Sequence, residues 1–471
     1  MALAYLVVLI VFAAFTGRAM RTPFGDGDLF WQKHLGAYVV THHALPNALD
    51  GTTFTAPGAP WTPQEWLFGI LAHLAISHDA IWILALIASA VLSAALLISA
   101  RRAARWGVSS TAIAIVVTLL AVDLGGAYGI RAQVFAWPFF ALLLLALDLS
   151  GPAVFLALLV VAAWANFHAS VMIAIPIVWI DAAVAWFLGG DEKERVRRSI
   201  LALAVPFATL ATPLGVRLPL YALTLVRSPI RQSIDEWQHL TFSGHHAFFW
   251  VGGVPLVLLA ASCARTLFKE RPRDLICTAL LFAMTVAAIR NAALVGIVAA
   301  PIAARAIDLI FAPFAWWRRD LLHDRGLRIL AFSGTVVASV FVFVASLRAP
   351  VKASTWLPPV ATFERISALG PDRRVFCYDF STCSIALDYP NLRVFIDGRA
   401  DPYPLWVWND FNDIRTAKSD WRWLLDYFAV DTVVVKVDDR LDKALRTRRG
   451  WRALPRLDRC CRAYVRPPRR G

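Results

Sequence analysis

The sequence is dominated by long apolar runs separated by short polar or basic segments. The runs lie at 2–17, 79–100, 108–123, 132–149, 152–166, 169–188, 199–212, 246–264, 274–289, 291–312 and 328–347. A helix rises about 1.5 Å per residue and must cross roughly 30 Å of hydrocarbon, so this pattern predicts about eleven transmembrane helices, the shorter ones tilted or met by local thinning. The stretch 65–77 is apolar but short and flanked by polar residues, which reads as interfacial or re-entrant. After the first run, Leu29, Trp31, Leu35, Tyr38 and Val39 recur at helical spacing, predicting an amphipathic helix along the interface.

From Pro350 the pattern changes to charged and polar, with short β-branched and aromatic segments at Val375 to Phe380, Leu392 to Asp397 and Val430 to Val437. These read as strands, and Ser419 to Phe428 and Asp439 to Arg449 as helices. The predicted fold is therefore an α-helical polytopic membrane domain, residues 1–349, with a large first external loop at 18–78. A small α/β extracytoplasmic domain, 350–471, follows it, ending in a basic terminus, Arg466 to Arg470, read as frayed.

Composition supports this division. The chain is 58% hydrophobic with 19 tryptophans in 471 residues, outside the range of ordinary soluble domains. Its net charge of +14 would suggest nucleic acid in a soluble protein. Here the Lys and Arg cluster between apolar runs, at Arg101-Arg102 with Arg105, Asp191 to Arg198, Arg265 to Arg273 and Arg318 to Arg328, each after every second span. That parity puts all four on the cytoplasmic side, where the charge faces anionic headgroups rather than a nucleic acid. Arg18 and Arg21 are the exception, falling outside. They follow the first run instead of preceding it, so that run reads as an uncleaved span and not a signal peptide.

Four cysteines, Cys377, Cys383, Cys460 and Cys461, lie in the exported domain, where a disulfide is expected and three pairings exist if all four engage. Nothing matches a phosphate-binding glycine-rich loop, a Ser-His-Asp arrangement or a zinc signature.

The opposite face then receives most of the unusual polar residues, and ionisable groups at a membrane boundary are functional candidates because burying them is costly. Asp26 and Asp28, in Gly25-Asp26-Gly27-Asp28, have two readings: a turn in which Asp28 caps the following helix, or a general base taking a proton from an acceptor hydroxyl. Two carboxylates at this spacing are also candidate ligands for a hard divalent cation, Mg²⁺ or Mn²⁺. Glu65 opens the 65–77 segment, either as a favourable charge at a helix N-terminus or as a second carboxylate of that site. Arg131 and Arg290, each at the outer end of a span, snorkel to headgroups or bind a phosphate through their forked guanidinium. Asn166 and His168 occupy a short turn between apolar runs, and Asp235-Glu236-Trp237 adds two carboxylates and an indole. Asp397-Gly398-Arg399-Ala400-Asp401-Pro402-Tyr403 follows a strand in the tail and reads as a hairpin or turn.

Asp28-Leu29-Phe30-Trp31 with Gly36, then Leu45-Pro46, Phe54-Thr55, Pro60-Trp61 and Glu65-Trp66, resembles the first external loop of bacterial polytopic proteins of the glycosyltransferase C superfamily. Arg131-Ala132-Gln133, Trp164 to His168, Pro213-Leu214-Gly215, Glu236-Trp237, Arg290-Asn291 and Val394 to Asp401 extend the resemblance nearly end to end. The resemblance implies an integral-membrane glycosyltransferase of the bacterial cytoplasmic membrane. It would move a sugar, with inversion, from a polyprenyl-phosphate carrier to a glycan, lipid or protein acceptor outside the cytoplasm. Asp28 or Asp26 would be the base, Glu65 an auxiliary carboxylate, and Arg131 or Arg290 phosphate contacts, with Asn166, His168 and Glu236 also on the substrate face. Gln32 departs from the pattern, since relatives often carry His there. The competing reading is a non-enzymatic lipid-linked glycan transporter or an assembly scaffold.

Overall fold

The computed structural model describes residues 1–189, 191–242, 244–314, 317, 324–351 and 357–466. Residues 318–323 of the basic loop after the tenth run, and 467–470 of the basic terminus, lie outside them. In chain order the helices are α1 (Ala2–Arg21), α2 (Asp28–His42), α3 (Trp66–Ser77), α4 (Ile81–Arg105), α5 (Ser110–Gly126), α6 (Ala132–Leu147), α7 (Leu156–Trp164), α8 (Ala174–Phe187), α9 (Glu192–Ala208), α10 (Arg217–Arg227), α11 (Val254–Ser262), α12 (Ala264–Glu270), α13 (Pro272–Ala287), α14 (Ala292–Phe311) and α15 (Arg325–Arg348). The C-terminal region adds α16 (Val360–Ser367), α17 (Phe380–Cys383), α18 (Leu405–Arg415), α19 (Trp421–Tyr427) and α20 (Arg440–Arg446), with strands β1 (Arg373–Cys377), β2 (Leu392–Val394), β3 (Thr432–Lys436), β4 (Arg452–Ala453) and β5 (Cys461–Val465).

The chain forms two compact units, Met1–Arg21 with Trp82–Val226 and Arg231–Pro350, and Thr22–Ile81 with Arg227–Ile230 and Val351–Gly471.

In the first unit a helix coincides with every apolar run, because a backbone in hydrocarbon must satisfy its own N–H and C=O groups. Among the described residues five helical segments are long and apolar enough to cross a membrane: Ala2–Arg21, Ile81–Arg105, Ala169–Phe187, Ile289–Phe311 and Arg325–Arg348. A sixth is the pair Phe249–Ser262 and Ala264–Glu270, bent by 82°. Ser110–Gly126, Ala132–Leu147 and Gly151–Trp164 are apolar but shorter. Leu203, Phe207, Leu330, Val337 and Phe341 stand exposed on α9 and α15, a surface suited to lipid and not to water. Helix α14 sits at the centre, buried along nearly its whole length from Ala293 to Ile307. Arg18 and Arg21, the exceptions to the charge parity, donate to carbonyl oxygens at helix ends, Gly125 and Ala349, each at 3.0 Å. They complete backbone hydrogen bonding there.

Three of the basic clusters hold a buried ion network. Arg102 Nε and Nη2 donate to Asp148 at 2.8 and 3.2 Å, and Nη2 donates to Asp274 at 2.7 Å. Arg273 bonds Asp148, Asp274 and Asp181, and Arg198 bonds Asp181 at 2.6 Å and Glu194 at 2.7 Å. The network ties together α4, α8, α9, α13 and the C-terminal end of α6.

In the second unit the sheet order is β2-β1-β3-β5-β4, parallel through β1, β2 and β3 and antiparallel at β5 and β4. The three expected strands and two expected helices are present, while α18, β4 and β5 complete the layer. Cys377 is bonded to Cys383, and Cys460 to Cys461. The loop residues pack into this unit. Phe30 of α2 joins the core formed by Val375, Val394, Val434 and Ala463, and Thr53 bridges to Val394 in parallel. Leu29, Trp31 and Leu35 of α2 are buried as well, while Tyr38 and Val39 are partly exposed, so the first half of its helical spacing reflects a buried face.

Candidate functional site

In the loop and tail unit, α2 opens one residue after Gly27, which occupies the N-cap position without a side-chain cap. Asp26 supplies the missing acceptor: its Oδ1 receives the Asp28 N–H at 3.0 Å. Asp28 lies in the first turn, half-buried, and its Oδ1 accepts the Trp31 indole N–H at 3.1 Å. Capping is therefore the work of Asp26, and Asp28 is held by an aromatic anchor one turn on. The cap shifts by two residues because an Asx-type turn places the carboxylate two positions before the amide it receives.

Glu65 is buried at the N-terminus of α3. Gln32 Nε2 donates to its Oε2 at 2.5 Å and Gln64 Nε2 to its Oε1 at 2.8 Å. The contact depends on a close crossing of α2 and α3, where a Cβ on Gly36 would stand 1.9 Å from the Gly69 carbonyl oxygen. Only glycines allow that approach, and it puts Gln32, the departure from the family pattern, directly on Glu65.

A second group lies in the same unit. Arg399 is 2% exposed and grips Asp397 with Nε at 3.0 Å from Oδ1 and Nη2 at 2.7 Å from Oδ2. Tyr403 donates to Asp397 Oδ2 at 2.7 Å. On its outer side Arg399 reaches Asp50 Oδ1 at 3.3 Å and Thr52 Oγ1 at 2.9 Å, while His34 Nε2 is 2.9 Å from Asp50 Oδ2. Burial works against the Asp50 charge, but His34 and Arg399 more than offset it and hold its pKa below the usual carboxylate range. The stretch Asp397 to Tyr403 is thus a buried ion cluster and not a plain turn. Its signal in the sequence is that an arginine following a strand of core residues needs an anionic partner.

In the helical unit four of the candidate residues come together. Arg131 adopts an extended conformation immediately before α6, and Arg290 lies just beyond α13. Pairing of Leu240 N–H with the Val286 carbonyl and of Ile289 N–H with the Gln238 carbonyl brings Glu236 between them. Arg131 Nη2 is 3.2 Å from Glu236 Oε2, and Arg290 Nη1 is 3.6 Å from Oε1. The Arg290 guanidinium also covers the Trp237 ring at 4.1 Å. Burial would raise the Glu236 pKa, but the two guanidiniums overcome it and hold the group at about 2.

His168, 4% exposed, accepts the Ser170 N–H on Nδ1 at 3.0 Å. Burial and the charges of Arg290 and Arg131 push its pKa down to about 3 against the opposing pull of Glu236, so the imidazole is neutral at physiological pH. Asn166 faces elsewhere: its Nδ2 donates to the Ala162 and Ala211 carbonyls, both at 2.8 Å, joining two connections of the bundle.

Among the described residues no three His, Cys, Asp or Glu side chains converge as metal ligands. Asp26 and Asp28 could supply two, a number Mg²⁺ accepts when water and substrate phosphate complete its octahedron.

No family model and no curated protein matches the sequence. Solved structures do. The archaeal oligosaccharyltransferase AglB of Archaeoglobus fulgidus, in complex with an inhibitory peptide and a dolichol-phosphate, gives a TM-score of 0.60 at 14% identity, covering 92% of this chain and 69% of that one. The Archaeoglobus fulgidus oligosaccharyltransferase in complex with Zn and sulfate gives 0.60 at 13% identity, covering 92% and 68%. Apo ArnT of Cupriavidus metallidurans gives 0.54 at 15% identity, covering 98% and 97%. The chain therefore shares the fold of these proteins, a polytopic bundle of apolar helices with a small C-terminal sheet.

Proposed function

We propose that this chain is an integral-membrane glycosyltransferase that moves a sugar from a polyprenyl-phosphate carrier to a glycan, lipid or protein acceptor. The observation that carries the reading is the sharing of one carboxylate, Glu236, by two guanidiniums, Arg131 and Arg290. A neutral His168 stands beside them, and forked guanidinium is the side chain best matched to phosphate oxygens. The similar archaeal oligosaccharyltransferase was solved with a dolichol-phosphate, a ligand of the same chemical class.

In the reaction, the acceptor hydroxyl oxygen attacks the anomeric carbon as the bond from that carbon to the carrier phosphate breaks. The phosphate leaves with the electron pair, and inversion follows from attack opposite the leaving group. Asp28 takes the hydroxyl proton, with Asp26 fixing the turn that presents it. Trp31 holds Asp28 in one rotamer, and Gln32 with Gln64 holds Glu65 as an auxiliary carboxylate. Arg131 and Arg290 bind the phosphate and stabilise the charge that develops on it. A divalent cation, Mg²⁺ or Mn²⁺, would be held by Asp26 and Asp28 and would neutralise further charge on the leaving phosphate.

By this reading the protein resides in the bacterial cytoplasmic membrane, with residues 350–471 outside the cytoplasm. The assay is transfer of labelled sugar from a panel of polyprenyl-phosphate sugars by purified protein in lipid. Asp28→Asn is expected to reduce transfer about 10²-fold or more, the lower range for loss of a positioned base. Full transfer by both Asp28→Asn and Asp26→Asn would remove the base from the account.

A further inference from the structure

The loop and tail unit contains a cavity of about 170 Å³ that no step above uses. Its lining includes His34, Tyr38, Asn47, Asp50, Trp61 and Arg399. His34 and Tyr38 are four residues apart on α2, one turn above the other on the same face. Bonding of Trp61 N–H to the Asn47 carbonyl and of Leu49 N–H to the Ala59 carbonyl, both at 2.9 Å, fixes the indole beside Asn47. Trp61 is further held by the edge-on ring of Trp31 at 6.2 Å and by the Arg399 guanidinium at 5.3 Å. Asp397 and Tyr403 lock Arg399 from behind, so this wall is rigid before any ligand arrives.

The chemistry of the lining discriminates among ligands. Arg399 is compensated by Asp397 and Asp50 together, so no positive charge remains to attract a phosphate or a carboxylate. Asp50 offers acceptor oxygens, and Asn47 and Tyr38 each offer both a donor and an acceptor. Trp61 and Tyr38 add flat apolar faces. Hydroxyl groups around the edge of a ring and C–H bonds on its face are what such a lining complements, and the volume suits one ring, not a chain.

We propose that this cavity binds a single neutral sugar ring, of the hexose, pentose or N-acetylhexosamine class. Its place in catalysis, as the seat of the acceptor's terminal residue or of the donor sugar, rests on the glycosyltransferase reading, whereas its existence as a sugar site does not.

The test is saturation-transfer NMR on the full-length protein in detergent micelles. The probes are methyl glycosides of neutral hexoses, pentoses and N-acetylhexosamines, with methyl glucuronide and inorganic phosphate as charged controls. At least one neutral glycoside is expected to bind saturably, and neither control to displace it. Asn47→Ala, at an exposed position, and Tyr38→Phe, which keeps the ring, should each weaken binding about threefold to tenfold. Displacement by an added polyprenyl-phosphate sugar assigns the ring to the donor, and co-binding assigns it to the acceptor. The proposal is overturned if no neutral glycoside binds, if phosphate or glucuronide displaces the bound one, or if both variants bind as the wild type does. Sugar binding without any transfer would leave this site standing and remove the enzymatic reading instead.

Discussion

Helices α6 and α13 each carry an arginine-rich cluster at both ends, and the two clusters are built to opposite rules. Sixteen residues separate the ends of either helix, about 24 Å. At one end Asp148, Arg273 and Asp274 join Arg102, Arg198 and Asp181 in a network in which every charge is buried and answered. At the other end Arg131 and Arg290 share Glu236, their side chains 22%, 17% and 30% exposed. A balanced buried network makes its groups unavailable to a ligand and fixes helix positions. A partly exposed cluster in which two guanidiniums share one carboxylate is a place that an incoming anion can reach. Arginines alike in sequence thus divide into clamp and receptor according to how deeply their cluster is buried.

Breaking the closed end should have the largest effect. Arg273→Ala strands Asp148, Asp181 and Asp274 without their shared cation, and is expected to cost about 3–5 kcal/mol of stability, the range for removing one partner of a buried pair. Thermal unfolding in detergent measures it, and an unchanged midpoint would make the network decorative. Next comes the open end. Arg131→Ala or Arg290→Ala should leave that midpoint within about 1 kcal/mol, since partly exposed pairs are weak, yet reduce transfer about 10²-fold, near 2.7 kcal/mol of lost transition-state stabilisation.

A smaller effect follows from His168. Its folded pKa of about 3 lies below the unfolded value of about 6.5, so between these the unfolded chain binds more protons and stability rises with pH. Acidifying from pH 7 to pH 5 should remove about 2 kcal/mol through this group alone. His168→Asn should abolish that component, and a variant with the wild-type pH slope would refute it. Asn166→Ala, outside both clusters, should cost about 1 kcal/mol of stability, the usual worth of a hydrogen bond, and leave transfer nearly intact. A large loss of transfer would return Asn166 to the site.

The apolar runs announced the helices and the β-branched segments of the tail announced three strands, because backbone satisfaction and alternation are local properties of sequence. Long-range partners were not legible. The basic clusters with Arg102, Arg198 and Arg273 read as topology signals, yet Arg273 reaches Asp148 across 125 positions. Asp397-Gly398-Arg399 read as a turn because its partners Asp50 and Thr52 lie in the first loop. Likewise the helical spacing of Leu29 to Val39 was visible, whereas the core that takes in Phe30 of the same helix, including Val375 and Val394, was not. The candidate site was half legible in the same sense. Arg131, Glu236, Arg290 and His168 stood out as costly polar groups between apolar runs, but their mutual contact required the fold.

Receipt of a lipid phosphate by the cluster of Arg131, Glu236 and Arg290 is open to a binding experiment. The direct measurement is binding of a polyprenyl phosphate, against the phosphate-free polyprenol, to the purified full-length wild type and an Arg131→Gln, Arg290→Gln double variant. The wild type is expected to prefer the phosphate lipid at least tenfold, and the variant to lose this preference while still binding the chain. Equal affinity of the wild type for both lipids, or an undiminished preference in the variant, would contradict it.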